Sequence, residues 1–262
     1  MTNIRLGSLI TVLAAVPALA QADPIRGVLA EAVKEVSSSR IEASVRKLCS
    51  FGTRHPLSRT DSAFEGTGAA RKWLRESYEE IAESTGGRLT VDLQVAKVPC
   101  QRFGMPSELE VVNIIATLRG SSDPDRIYLV SGHYDSRNGK GGDAVNAAPG
   151  AVDDASGTAV AMEVCRVLSK HEFAATIVFV AYDGEEQGLL GSKAHATQMA
   201  ANDALVDGMI TCDIVGNTKG MDGRSYTDFV RCFSYAPSGN DSFGRSLARV
   251  VSRASREYVP GF

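Results

Sequence analysis

The stretch from Thr176 to Tyr182 is an unbroken run of β-branched, apolar and aromatic residues. A strand without polar alternation is covered on both faces, so it belongs inside a sheet with helices above and below. The flanking pattern supplies those neighbours. Leu89 to Val98, Val111 to Leu118, Arg126 to Val130 and Met209 to Val215 read as further strands. Helices are expected over about Ser156 to Lys170 and Leu190 to Met199. Strands alternating with helices predict an α/β fold, a sheet sandwiched by helices.

Ahead of the first strand, Val28, Leu29, Val33, Val36, Ile41, Val45 and Leu48 recur at helical spacing. The Ser37-Ser38-Ser39 patch divides them into two helices, and a third fits Gly66 to Ser84, ended by Gly86-Gly87. Near the end of the chain, Asp241 is expected to cap a helix with the stripe Phe243, Leu247, Val250, Val251, Ala254 and Tyr258.

In such sheets ligands bind beyond the carboxyl ends of the strands. Three strands here run into acids or an imidazole. Arg126 to Val130 leads to Ser131-Gly132-His133-Tyr134-Asp135-Ser136, Thr176 to Tyr182 leads to Asp183-Gly184-Glu185-Glu186, and Met209 to Cys212 leads to Asp213. Asp153-Asp154 precedes the helix at Ser156.

Singly, each feature has an ordinary explanation: an acid before a helix is usually a cap, and a pair of glutamates is usually solvated. Together, one imidazole and several carboxylates from separate strand ends make a donor set suited to zinc. Two divalent ions need a bridging carboxylate, a water between them and an uncoordinated carboxylate as proton acceptor. Adjacent side chains on an extended segment point different ways, so one of Glu185 and Glu186 can bind metal while the other faces the water. Asp135 is placed to accept the second N–H of His133. His55 is read as a structural loop residue, His171 as a helix-end residue and His195 as surface.

The first 22 residues read as a secretory signal peptide. Arg5 opens the chain's only charge there, Leu6 to Val16 is apolar, and Ala18-Leu19-Ala20 or Ala20-Gln21-Ala22 offers the cleavage site. The apolar run is shorter than the roughly 20 residues of a membrane helix, so no stable membrane insertion is expected after cleavage. Residues 23–262 are read as one domain, exported to a periplasm or secreted. With a net charge of −3 and no basic block, the chain is not expected to bind nucleic acid. Of the five cysteines, Cys165 and Cys212 read as buried fillers, and Cys49 with Cys100 as the pair to bridge if any do.

Gly132-His133-Tyr134-Asp135-Ser136, Pro149 to Gly157, Asp183-Gly184-Glu185-Glu186 with Gly188-Leu189-Leu190-Gly191-Ser192, and Cys212-Asp213-Ile214-Val215-Gly216 resemble, in order and spacing, the motifs of M28 zinc metallopeptidases. The resemblance covers roughly residues 111 to 217. It implies a mixed, largely parallel β-sheet between helices, of the zinc-dependent exopeptidase type. It implies that His133 and Asp213 bind one zinc, Asp153 bridges to a second, and Glu186 binds the second. Glu185 would be the general base and then acid, and Asp135 would orient His133. It also implies a cis peptide at Asp153–Asp154.

The expected activity is hydrolysis of terminal peptide bonds, an aminopeptidase by family habit, with a peptide substrate and two Zn²⁺ per complete site. The family takes a further histidine from beyond the Asp213 strand, and none follows His195. The chain is therefore expected to be incomplete at its C-terminus, lacking late strands and one ligand. Two rivals remain. A glutaminyl cyclase, a single-zinc relative, would carry an insertion where Asp183 to Ser192 runs straight through. A non-catalytic domain of the same fold would have shed ligands that remain here.

Overall fold

A computed structural model describes residues 24–102, 104–227, 229–235, 237 and 239–259; the leader read over residues 1–22 lies outside them. Two N-terminal helices, α1 (Pro24–Glu35) and α2 (Ser38–Cys49), part at Ser37, whose hydroxyl caps α2. The third helix, α3 (Gly66–Glu83), leads into an antiparallel pair, β1 (Leu89–Pro99) and β2 (Glu108–Leu118). The βαβ part follows: β3 (Asp123–His133), α4 (Ser156–Leu168), β4 (Ala175–Tyr182), α5 (Leu190–Ala201) and β5 (Leu205–Thr211). A final helix, α6, covers Phe243–Tyr258.

The sheet order is β1-β2-β4-β3-β5, with β3 parallel to both β4 and β5 and β2 antiparallel to β4. The β4 run sits in the interior as its composition demands. Its alternate residues serve two cores. Phe179 and Ala181 pack with Leu74, Tyr78, Met162 and Cys165 under α3 and α4. Val178, Val180 and Tyr182 pack with Leu129 and Met199 on the α5 side. Burying a side chain such as Phe179 contributes about 1.5–3 kcal/mol. The chain steps from β3 to β4 in one direction and from β4 to β5 in the other, so the carboxyl ends of three parallel strands share one rim.

Four expectations are corrected. β5 spans Leu205–Thr211, not Met209 to Val215, because Asp207 is bulged out where β3 shifts register from Ile127↔Val206 to Tyr128↔Gly208. That acid and glycine mask the first half of the strand in the sequence. Cys212 accordingly lies past the strand and is half-buried, not a core filler. The cap of α6 is Ser242, whose hydroxyl accepts the Arg245 N–H, and not Asp241. Cys49 and Cys100 are not bonded: Cys49 ends α2, whereas Cys100 packs in a separate cluster with Leu109, Val111 and Leu190. No described helix is long and apolar enough to cross a membrane.

Candidate metal centre

The strand rim meets the N-terminal end of α4 at two glycines. A Cβ on Gly132 would run into the backbone of Gly157 and Thr158, and one on Gly157 would meet the Cys212 carbonyl and the Asp154 carboxylate. Only glycine lets β3, the turn before α4 and the exit of β5 come this close. The Thr158 hydroxyl donates to the His133 carbonyl at 2.8 Å, and the His133 N–H donates to Asp154 at 3.0 Å. Asp154 also accepts the Gly157 N–H at 2.8 Å, so it works as a cap and as a tether for β3. The Asp153–Asp154 peptide is cis.

The His133 ring is buried between carboxylates. Its Nδ1 lies 3.3 Å from Asp135 Oδ1 and 3.2 Å from the Asp135 carbonyl. Its Nε2 faces outward, 3.0 Å from Asp153 Oδ1 and 4.0 Å from Glu185 Oε2. Donor atoms of His133, Asp153 and Asp213 all lie within 4.8 Å of one another. Asp135 is fully buried and also accepts the N–H groups of Glu185 and Glu186, each at 3.1 Å, tying the exits of β3 and β4 together. Glu186 stands apart from the three donors, its carboxylate paired with Arg137.

Electrostatics show what the donors want. Burial opposes charge on His133, but the carboxylates of Asp135 and Asp153 outweigh it and push its pKa up to about 12. Burial also raises the carboxyls of Glu185, Glu186 and Asp213, and it lifts Asp154 to about 7. Asp153 goes the other way, lowered by its bond to His133. One imidazole and two carboxylates around an excess of negative charge fit a zinc ion, which takes N and O donors at about 2.0–2.2 Å.

Two arginines that support the centre, Arg54 buried and Arg71 half-buried, carried no signal in the sequence. Arg54 is fully buried and gives its guanidinium to four carbonyls: Tyr134 (2.6 Å), Leu48 (3.1 Å), Pro149 (2.6 Å) and Gly150 (2.9 Å). It pins the loop leading to Asp153 against the exit of β3. Arg71, on α3, donates to the Tyr134 hydroxyl at 2.8 Å and to Asp183 at 2.7 Å. Asp183 is fully buried and also accepts the Val112 N–H at 3.0 Å, so β2, α3 and β4 meet at one carboxylate.

The structural reading of His55 agrees: it is buried, its Nδ1 accepts the Leu57 N–H and its Nε2 bonds the Gly141 carbonyl. His195 is not at the surface as expected. It is buried against β4, with the Tyr182 hydroxyl 2.9 Å from Nδ1, because α5 has to cover the apolar face that β4 presents.

A family model for peptidase family M28 matches residues 113–259, the segment that carries every one of these strand-end acids. The chain belongs to family M28. This M28 chain is 44% identical over 224 residues to a "Probable zinc metalloprotease" of Phaeosphaeria nodorum, a match covering 80% of this chain and 44% of that protein. It spans about half the length of the curated relatives it matches. Two solved structures share its fold. An aminopeptidase from Aneurinibacillus sp. strain AM-1 superposes with a TM-score of 0.54 at 14% identity, covering 73% of each chain. A glutaminyl cyclase of Bacteroides thetaiotaomicron, bound to N-acetylhistamine, gives 0.56 at 19% identity over 71% of this chain and 65% of that one.

Proposed function

We propose that this M28 chain forms the metal-binding part of a zinc-dependent exopeptidase that hydrolyses terminal peptide bonds, with aminopeptidase the favoured form. The observation that carries the reading is the meeting of His133, Asp153 and Asp213 within 4.8 Å, with the Glu185 carboxylate 4.0 Å from the same imidazole nitrogen but outside that donor set. A bound zinc supplies a Lewis acid that polarises a carbonyl and lowers the pKa of water towards about 7.

The chain's own groups do the rest. Asp135 holds the His133 ring so that Nε2 faces the centre. Glu185 sits with its carboxyl raised by burial, a state suited to taking a proton from the attacking water and returning it to the leaving amine. Gly184, at a φ of +66°, turns the chain so that the glutamates follow directly on β4. The remaining acids keep the rim negative, which favours a substrate whose terminal amine is protonated.

A glutaminyl cyclase is the second reading, supported by the shared fold. The helix α5 opens at Leu190, four residues after Glu186, with no longer inserted segment between them, which favours the peptidase. Residues 1–22 we read as an export leader. The test is turnover of a leucine anilide against a glutaminyl peptide by the zinc-loaded protein. Release of the anilide alone supports the peptidase; cyclisation of the glutaminyl peptide alone overturns it.

A further inference from the structure

Between Tyr182, the last residue of β4, and Leu190, the first of α5, the chain makes a tight turn that carries both glutamates. Backbone hydrogen bonds close its neck. The N–H groups of Gly191, Leu190 and Leu189 donate to the carbonyls of Asp183, Gly184 and Glu185 at 2.9, 3.0 and 2.8 Å. Gly184, Gly188 and Leu189 all stand at positive φ, and for a leucine the +62° of Leu189 is a rare conformation. A turn bent in this way persists only when its surroundings hold it.

Asn113, on β2, lies fully buried beside that neck. The backbone pairing of β2 with β4 runs from Leu118↔Ile177 to Ile114↔Ala181 and stops one residue short of Asn113. There the Asn113 side chain takes over. Its Oδ1 accepts the Asp183 N–H at 3.0 Å. Its Nδ2 donates to the Gly191 carbonyl at 2.9 Å and to Gln94 Oε1 of β1 at 2.7 Å. Both amide hydrogens and the amide oxygen are engaged, which fixes the way the group faces. A Cβ on Gly191 would overlap Asn113 Oδ1 and the Asp183 carbonyl, so the two sides of the neck close directly onto this amide. From the β3 side, Asp135 holds the N–H groups of Glu185 and Glu186. The turn is thus gripped by a carboxylate on one side and by an amide on the other.

We propose that Asn113 is a positioning residue that, by bridging Asp183 and Gly191, keeps the neck of this turn shut and so holds Glu185 in place beside His133. It acts through Glu185, and the proposal rests on the reading of Glu185 as the general base. Without the amide, the Asp183 N–H and the Gly191 carbonyl lose a buried partner, and opening the neck to water becomes the cheaper state.

The experiment is hydrogen–deuterium exchange of the metal-free chain, read segment by segment by mass spectrometry. Two variants are compared with the wild type: Asn113→Ala, and Asn113→Thr, which fills a similar volume in a strand but is too short to bridge the neck. Both are expected to raise exchange at Leu189, Leu190 and Gly191 at least about tenfold, with β4 and the later turns of α5 unchanged. Loaded with zinc, both are expected to lower kcat on a leucine anilide at least about tenfold, because a displaced general base loses much of its effect. KM and bound zinc are expected to stay at their wild-type values. Unchanged exchange at the three amides, a rise that spreads through β4 and α5, a wild-type kcat or a loss of bound zinc overturns the proposal and leaves the peptidase reading intact. A zinc-loaded wild type that never releases the anilide brings down the peptidase reading instead, and the exchange result then still decides whether Asn113 holds the turn.

Discussion

The Asp135 carboxylate stands 3.3 Å from Nδ1 of His133 and, through its two oxygens, accepts the N–H groups that begin the Glu185-Glu186 pair. One buried side chain therefore sets the imidazole's orientation and the position of the glutamates together. Asp135→Asn should lower zinc affinity by about 10–100-fold, the usual effect of removing a group that holds a ligating histidine. Dialysis against a competing chelator measures it; an unchanged affinity would show that the carbonyl of residue 135 orients the ring alone.

Glu185 lies outside the three-donor set yet next to it. Glu185→Gln should keep the metal content and cut turnover of a terminal peptide bond by about 10²–10⁴-fold, the range for a lost general base. Metal analysis beside a rate assay on the same preparation checks both halves. Loss of zinc in this variant would make Glu185 a ligand.

The Arg54 guanidinium donates to four carbonyls and, among the described residues, pairs with no carboxylate. Arg54→Met leaves those acceptors buried without donors, at about 1–3 kcal/mol for an unsatisfied group. The expected drop in Tm is about 6–12 °C, taking a net loss of ~3 kcal/mol and 2–4 °C per kcal/mol for a chain of this size. Arg54→Lys should not rescue it, since an ammonium cannot span the same fork. Thermal melts of both variants decide it.

Glu163, on α4, is buried and receives the Ser37 N–H at 2.8 Å and two Arg166 contacts at 2.9 and 2.7 Å. Burial disfavours its charge, but Arg166 and the Ser37 amide outweigh it and leave its pKa below the ordinary 4.5. A carboxyl lowered on folding adds stability that is fully present above its unfolded pKa and is lost as pH falls through the folded value. The Tm gap between wild type and Glu163→Gln should thus be constant near neutrality and close as the pH drops below about 4.5. A gap that widens on acidification contradicts the pairing.

Much of the fold was legible because its elements are announced locally. The serines that divide α1 from α2, the apolar run of β4 and the double glycine after α3 each act within a few residues. The strand-end acids were legible for the same reason, since a strand exit is where an α/β sheet offers its ligand positions. What escaped notice depends on partners far along the chain. Arg71 meets Asp183 across 112 positions, and Arg54 meets Gly150 across 96. Neither pairing leaves a local pattern. The start of β5 was hidden because its bulge at Asp207 makes sense only against β3. His195 looked like surface because burial comes from the strand that α5 happens to cover.

By itself the sequence determined the order of strands and helices and the kinds of group that stand at the strand ends, because propensity, patterning and turn chemistry act over short distances. Only the tertiary structure decided which of those groups meet: His133, Asp153 and Asp213 converge, while Glu186 turns to Arg137. The reason is that a donor set is a matter of ångströms between segments, and those distances are fixed by sheet order, by glycine contacts at the rim and by the hydrogen bonds of Arg54 and Arg71.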